Sequence, residues 1–340
     1  MLPATLVFAI IKVSIKSIRD MFPESNDIRI WVMLRPGAGE REGTIRVITE
    51  ETRSVEIRAA RVDYVYNPGT VLEQHALKDI GFVLPTGKVL GLLGGTGSGK
   101  TTLIRNLNGL LTPTGGTMFV DGVDTRRWGQ DLRRRVGVVF QRPERQLFEE
   151  TVFRDISFVL RRFSRLPEST IRSKVDKACN LVGLNIAEVG DRSPHALSDG
   201  ERRKAAMAGI LVNEPDVLVL DEPAVGLDPP AVSDLVSMIG SMKANGGTSV
   251  VIASHDMDPF LEILDLMLLL HKGRAAAFGT PGEVCSQSAD DPMFRPLLPD
   301  LAVLVHDLRS AGYPMNPNEF RVRDLVTQLT DIVQNPGGNS

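Results

Sequence analysis

The sequence predicts an α/β fold built around a parallel sheet, and three observations carry that prediction. First, the runs "VLGLL" at 89–93, "RVGVVF" at 135–140, "DVLVLD" at 216–221 and "TSVVIASHD" at 248–256 each hold a short, continuous apolar stretch. Strands covered on both faces read this way, without the polar alternation of a half-exposed strand. Second, longer stretches with helical spacing separate these runs, the order that lays helices on the faces of a parallel sheet. Third, the residues with chemical potential fall at the carboxyl ends of the runs or at helix starts, where α/β folds gather their ligands.

Taken in order, residues 1–56 read as an N-terminal extension of unassigned role. Its apolar run at 6–11 is cut by Lys12, far short of the roughly 20 residues needed to cross a bilayer. With neither a basic leader nor a small-residue cleavage site, it does not read as a secretory signal. The stretch "LVFAIIKVSIKSIRD" is mildly amphipathic, which suits either a loosely attached segment or one that lies on a membrane surface or a partner. From residue 57 the pattern becomes regular: "SVEIRAARVDYVY" alternates as a strand, "NPGT" is a turn, and "ALKDIGFVL" and "PTGKVLGLLG" are two more strands. "KTTLIRNLNGLL" shows helical spacing through Leu103, Leu107 and Leu110. Residues 150–210 are rich in helix formers and arginine, as in "VFRDISFVLRRFSRL" and "GERRKAAMAGILV", and read as a helical insertion. Past residue 290, "PDLAVLVHDLRSAGY" places Pro299 near a helix start, Leu301, Leu304, Val305 and Leu308 on one face, and Gly312 at the stop. A second helix is expected from Arg323, completing a small C-terminal appendage before the "NPGGNS" tail.

The chain has 340 residues, enough for one large core or two smaller ones. Its hydrophobic content of 42%, charged content of 24% and formal net charge of -3 are those of an ordinary globular protein with no global attraction to nucleic acid. The arginines at 126, 127, 133, 134 and 135 read as a solvated face. Cys179 and Cys285 stand apart from any CxxC or Cys/His grouping, so neither a disulfide framework nor a zinc site is expected, and a reducing compartment fits.

Residues 94–101, "GGTGSGKT", match GxxxxGK[ST] after one predicted strand and before one predicted helix. The glycines let the main chain wrap an anion with its N–H groups pointing inward, and the helix start adds partial positive charge. Such a phosphate loop takes a polyphosphate, with Gly94, Gly95, Thr96, Gly97, Ser98, Gly99 and the following Thr102 lining it. Lys100 is placed to reach the β- and γ-phosphates, and Thr101 carries the hydroxyl suited to Mg²⁺. The dinucleotide pattern GxGxxG fails here on spacing. In "DVLVLDEP" an apolar strand delivers two adjacent acids. Asp221 would hold the hydration shell of Mg²⁺, and Glu222 would polarise a water for in-line attack on the γ-phosphate. In "SPHALSDGERRKAAMAGIL", Ser198 is a good helix cap, and the N–H groups near Gly200 make a second anion site.

Together with "DEPAVGLD", these motifs resemble the ATP-binding-cassette (ABC) ATPases over residues 57 to 285. The resemblance implies a P-loop NTPase fold with a parallel sheet core, an antiparallel β subdomain and a helical subdomain. It also implies a head-to-tail dimer in which the "LSGGQ" signature of one subunit closes over ATP held by the other. Carried over by matching position, Gln141 in "VVFQRPE" resembles the Q-loop glutamine that touches Mg²⁺ and senses the transmembrane partner. Asp228 in "GLD" resembles the D-loop aspartate at the dimer seam, His255 in "VIASHD" the switch histidine at the γ-phosphate, and Tyr66 the aromatic that stacks on adenine. The signature here reads "LSDGE", with Asp199 for a glycine and Glu201 for a glutamine. An aspartate pointed at the γ-phosphate would repel it, whereas one facing solvent would leave the backbone donors intact. Ala224 stands where the family often has Thr or Ser.

The stretches "QRPERQLFEETVFRDISF" and "RKAAMAGILVNEPDVLVLDEPAVGLDPP" resemble the ATPases of energy-coupling-factor (ECF) transporters, importers of vitamins or of transition-metal ions such as cobalt and nickel. That resemblance implies a homodimer, or a heterodimer with a related ABC ATPase, at the cytoplasmic face of the cell membrane. Its partners would be a transmembrane scaffold near the Q-loop and a separate membrane subunit that selects the solute. It divides the chain into the extension 1–56, an ATP-binding domain 57–290 with its helical subdomain at 150–210, and a C-terminal extension 291–340 that helps hold two ATPases together. ATP binding would close the dimer and move the scaffold, and hydrolysis would reset it. Other ABC transporter ATPases share the nucleotide motifs. A soluble ABC protein acting on DNA or ribosomes would carry coiled-coil insertions or tandem cassettes, and neither is visible, so no nucleic-acid partner is expected.

Overall fold

Alternation of buried and exposed side chains builds the first of two sheets in the computed structural model, which describes residues 55–245 and 247–334. The expectations for the amphipathic stretch at 6–20 and for the "NPGGNS" tail lie outside the described residues. Strand β1 (Ile57–Tyr66) pairs antiparallel with β2 (Gln74–Leu84), burying Ile57, Ala59 and Val62 with Leu77, Ile80, Phe82 and Leu84. Val55 is already buried and the Glu56 carbonyl accepts the Asp121 N–H at 2.9 Å, so the antiparallel unit includes the two residues before 57.

The second sheet contains β3 (Val89–Leu93), and the first is completed by β4 (Gly115–Val120) and β5 (Val123–Asp124), in the order β2-β1-β4-β5. Strands β6 (Val136–Val139), β7 (Val217–Asp221), β8 (Ser249–Ser254), β9 (Leu266–His271) and β10 (Arg274–Gly279) join β3 in the order β10-β9-β3-β8-β7-β6. All of these pairings are parallel except β10 against β9. Every residue of β3, β6, β7 and β8 is buried, which is why those runs carry no alternation. Alternate residues face opposite cores: Leu90, Leu92, Val217 and Val219 toward the antiparallel sheet, Leu218, Leu220, Val250 and Ile252 toward the helical side. Because β3, β8 and β7 are neighbours, their carboxyl ends share one edge of the sheet.

Helix α1 (Lys100–Leu107) leads out of β3 and buries Leu103, Ile104 and Leu107. The arginine-rich stretch folds into α2 (Val152–Phe163), α3 (Glu168–Leu181) and α4 (Asp199–Leu211), packed together through Ile156, Leu160, Val175, Ala178, Ala205 and Ala208. After α5 (Pro229–Ala244) come α6 (Pro281–Ser288), α7 (Asp300–Ser310) and α8 (Val322–Gln334). Leu298, Ala302, Val305, Met315, Phe320 and Leu325 join the core on the helical side of the parallel sheet, so the segment past residue 290 shares that core.

Two hairpins and two side chains depart from the sequence reading. β4–β5 and β9–β10 turn through Asp121-Gly122 and Lys272-Gly273, each a pair of left-handed residues as a two-residue hairpin requires. Leu110 lies outside α1 and is exposed, because Gly109 at φ +71° turns the chain after the Asn108 cap. Leu304 is 48% exposed at the margin of the α7 stripe, and Ala302 is buried in its stead. Three of the five clustered arginines are ion-paired among the described residues: Arg126 with Asp124, Arg134 with Asp131, and Arg135 with Asp216 and Asp121 while its guanidinium lies over the Trp128 ring. Among the described residues, no helix is long and apolar enough to cross a membrane.

Candidate functional site

The end of β3 turns directly into the phosphate loop, and local geometry dictates its glycines. Gly97 sits at φ +78° facing open space. Gly99 sits at φ +110°, where a Cβ would lie 2.8 Å from the Ala76 carbonyl oxygen. Gly99 begins α1 without a side-chain cap, so the first N–H groups of that helix stay available to an anion. The Lys100 ammonium curls back over the loop, donating to the Gly94 carbonyl at 2.5 Å and lying 3.9 Å from Glu222 Oε1. Burial pushes its pKa down, opposed by the charges of Glu222 and Asp221. Among the described residues the buried Ser98 hydroxyl has no hydrogen-bond partner. An orphaned donor, a curled ammonium and open N–H groups around one loop fit a polyphosphate.

The neighbouring strand ends bring the acids to this loop. Asp221 closes β7 at 8% exposure, and burial, reinforced by Glu222, raises its carboxyl above the usual range against the pull of Lys100 and Arg105. Glu222 is left-handed at φ +51°, a conformation that costs about 1–3 kcal/mol in a non-glycine residue. Its N–H donates to the Ala253 carbonyl at 2.7 Å, which fixes the turn against β8. Its Oε2 accepts from the Ser254 hydroxyl at 3.2 Å and meets His255 Nδ1 at 2.7 Å. The His255 ring is otherwise open to solvent. Asp221, Thr101 and Gln141 supply hard oxygen donors, and among the described residues no group of three or more His, Cys, Asp or Glu side chains is gathered. A Mg²⁺ that takes most of its ligands from phosphate and water needs no such group.

The remaining predicted residues divide by location. Tyr66, at the end of β1, meets the Thr102 hydroxyl at 3.2 Å and stands edge-on to Tyr64, beside the start of α1. Gln141 is exposed just past β6. Ser198, Gly200 and Asp228 are exposed, and the hydrogen bonds of Ser198 and Asp228 are local. Asp228 caps α5 by accepting the Ala231 N–H at 3.0 Å. Ser198 caps α4 by accepting the Glu201 N–H at 3.3 Å, while Glu201 Oε2 accepts the Ser198 N–H at 2.8 Å. Glu201 therefore closes a reciprocal capping box, as the glutamine of an LSGGQ signature could also do. Asp199 pairs with Arg202 and is 91% exposed.

Two contributors escape a sequence reading. Ser254 closes the all-buried β8 with a hydroxyl, as Asp221 closes β7 with a carboxylate, and that is its signal in the sequence. Arg203 reaches from α4 to the Pro223 and Val225 carbonyls, and nothing in the local sequence announces that reach.

This fold and site define an ATP-binding cassette, and residues 77–225 match the family model described as ABC transporter. The energy-coupling factor transporter ATP-binding protein EcfA2 of Symbiobacterium thermophilum is 40% identical over 275 residues, covering 80% of this chain and 94% of that protein. The solved structure of cbiO1 from Clostridium perfringens, described as part of the ABC transporter complex cbiONQ, is 36% identical at a TM-score of 0.61, covering 71% of this chain and 96% of that one. A dimeric ATP-binding cassette solved in a post-hydrolysis state with ADP and Pi, 22% identical at a TM-score of 0.59 and covering 66% of this chain and 98% of that one, shares the fold. The chain belongs to the ABC transporter ATP-binding proteins, in the energy-coupling factor group. It is an ATP-binding, ATP-hydrolysing subunit that energises an ECF-type importer.

Proposed function

We propose that this chain works head to tail with a second ABC ATPase, a copy of itself or a related chain, at the cytoplasmic face of a transmembrane scaffold. Hydrolysis there drives uptake of a vitamin or transition-metal ion chosen by a separate membrane subunit. The observation that carries this reading is the split of the site. Lys100, Glu222 and His255 meet on one sheet edge, whereas the Ser198-capped helix start stands exposed, its N–H groups turned, among the described residues, to no partner beyond its own cap. A second chain that brings its α4 to this loop completes the cage around the triphosphate. The description of cbiO1 as part of a transporter complex supports membrane partners. Residues 57–290 form the cassette in this reading, with 150–210 as its helical part and 291–340 as the extension that steadies the pair.

Within the site, the loop N–H groups from Gly95 to Thr102 hold the phosphates, and Lys100 exchanges the Gly94 carbonyl for β- and γ-oxygens. Tyr66 lies where the adenine ring stacks. Mg²⁺ would neutralise charge between the β- and γ-phosphates, and Thr101, Asp221 and Gln141 are the residues that would hold it. Glu222, oriented by Ser254 and His255, polarises the attacking water, and Asp228 meets the partner at the seam. Co-expression with a scaffold and a solute-binding membrane subunit tests the scheme. The complex should co-purify and hydrolyse ATP with Mg²⁺, and Glu222→Gln should lower kcat by about 100-fold or more. Full turnover in Glu222→Gln, or no association with membrane subunits, would refute it.

A further inference from the structure

The turn that carries Glu222 is held from outside its own strand. The Glu222 carbonyl accepts the Val225 N–H at 3.3 Å, closing a tight turn with Glu222 left-handed at φ +51°. Arg203, in the second turn of α4, reaches across to this turn. Its Nη1 donates to the Val225 carbonyl at 3.0 Å and its Nη2 donates to the Pro223 carbonyl. The guanidinium is half-buried, and burial pushes its pKa down while the charge of Glu144 acts against that shift. A cation drawn out of water needs strong acceptors, and the two turn carbonyls provide them. Glu144 lies in the short helix Pro143–Gln146, which follows Gln141 and packs on α4. Arg203 thus stands where three segments meet: the helix begun by Ser198, the segment after Gln141, and the turn after Glu222. The adjacent Lys204 points elsewhere, donating to the Gly183 carbonyl at 3.2 Å.

We infer that Arg203 is a positioning residue for hydrolysis: its two-pronged grip on the Pro223 and Val225 carbonyls keeps Glu222 left-handed, with its carboxylate on His255, and ties that aim to α4. A left-handed non-glycine residue persists only where its surroundings over-determine it. A planar guanidinium holds two carbonyls in a fixed relation through its rigid fork, whereas the donors of an ammonium rotate on a flexible stem. The inference rests on the reading of Glu222 as the group that polarises the attacking water. Arg203 hydrogen-bonds neither the phosphate loop nor Tyr66, so its loss acts on kcat and spares nucleotide affinity.

The test uses the complete transporter complex and measures ATP turnover and nucleotide binding in Arg203→Met, Arg203→Lys, Glu222→Gln, the double variant and a Lys204→Ala control. Arg203→Met should lower kcat by about 10–100-fold, the scale of a misplaced catalytic group, with KM for ATP within about threefold of wild type. Arg203→Lys should fall between the two, and Lys204→Ala should match wild type. In the Glu222→Gln background, Arg203→Met should add less than about a twofold further loss, because the group it positions is already gone. Wild-type kcat in Arg203→Met, an equal loss in both backgrounds, or a KM rising in step with the loss of kcat would each overturn the inference. If Arg203→Met fails to fold, Arg203→Lys decides: reduced kcat at an unchanged thermal midpoint supports the inference, and wild-type kcat overturns it. Full turnover in Glu222→Gln would bring down the reading of Glu222 and this inference with it. Full turnover in the Arg203 variants beside an inactive Glu222→Gln would bring down the inference alone.

Discussion

Asp199 is the residue whose charge conflicts with the chemistry around it, and its geometry removes the conflict. Arg202, one turn further along α4, draws the carboxylate into solvent, so the signature keeps its backbone donors. Asp199→Gly should therefore change ATP affinity by less than about threefold in equilibrium titrations, as expected of a solvent-screened charge. Glu201 matters to the local fold, because the two hydrogen bonds its carboxylate accepts from Ser198 shape the helix start. Glu201→Ala should lower the urea midpoint, while Glu201→Gln, which can close the same box, should stay near wild type. Gly99 is constrained on two counts, a left-handed backbone and the Ala76 carbonyl 2.8 Å from where a Cβ would sit. Gly99→Ala should cost about 1–3 kcal/mol in thermal unfolding and weaken nucleotide binding together with it.

At the scale of elements, Asp265 joins the start of β9 to β3 and α5. Its carboxylate accepts the Val89 N–H at 2.9 Å and the Lys88 ammonium at 3.0 Å, and pairs with Lys243 at 3.1 Å. Burial opposes its ionisation, but these donors outweigh burial and hold its carboxyl below the ordinary carboxylate value. A depressed folded pKa contributes stability above the unfolded value near 4 and loses it as pH falls through the folded one. Asp265→Asn should thus cost about 1–3 kcal/mol at pH 7 and narrow the difference between urea midpoints at pH 7 and pH 3. An unchanged difference would show that the carboxylate carries none of the acid lability. The same scale explains the hairpins that the sequence reading passed over. "DG" between apolar runs is a hairpin signal, whereas Lys272-Gly273 is not a typical one, and the place of β9 beside β3 follows from sheet order rather than from the run "LMLLLH" itself.

At the scale of the molecule, the C-terminal segment is fastened to the loop that carries His255. Asp258, three residues after His255, accepts the N–H groups of Asp300 at 3.0 Å and Leu301 at 3.2 Å and so caps α7 from a distance. Asp258→Ala should destabilise the fold by about 0.5–2 kcal/mol and speed amide exchange at the start of α7 ahead of the parallel sheet. Uniform exchange across both regions would show that the two are not fastened at this point. The Ser198 helix start and the phosphate loop, by contrast, keep apart in one chain, consistent with a site completed between chains.

What the sequence by itself determined were the local motifs: the glycine pattern of the phosphate loop, the acids closing β7, the Ser198 cap and the buried runs of the parallel sheet. Each is written within about ten residues, because backbone dihedrals, capping and burial periodicity are short-range properties. Only the tertiary structure decided that β3, β8 and β7 lie side by side, that Asp199 turns to Arg202, and that Arg203 grips the turn beyond Glu222. Those choices join residues far apart in the chain, and they are made by the burial of whole faces and the need of each buried charge for a partner, which no local pattern contains.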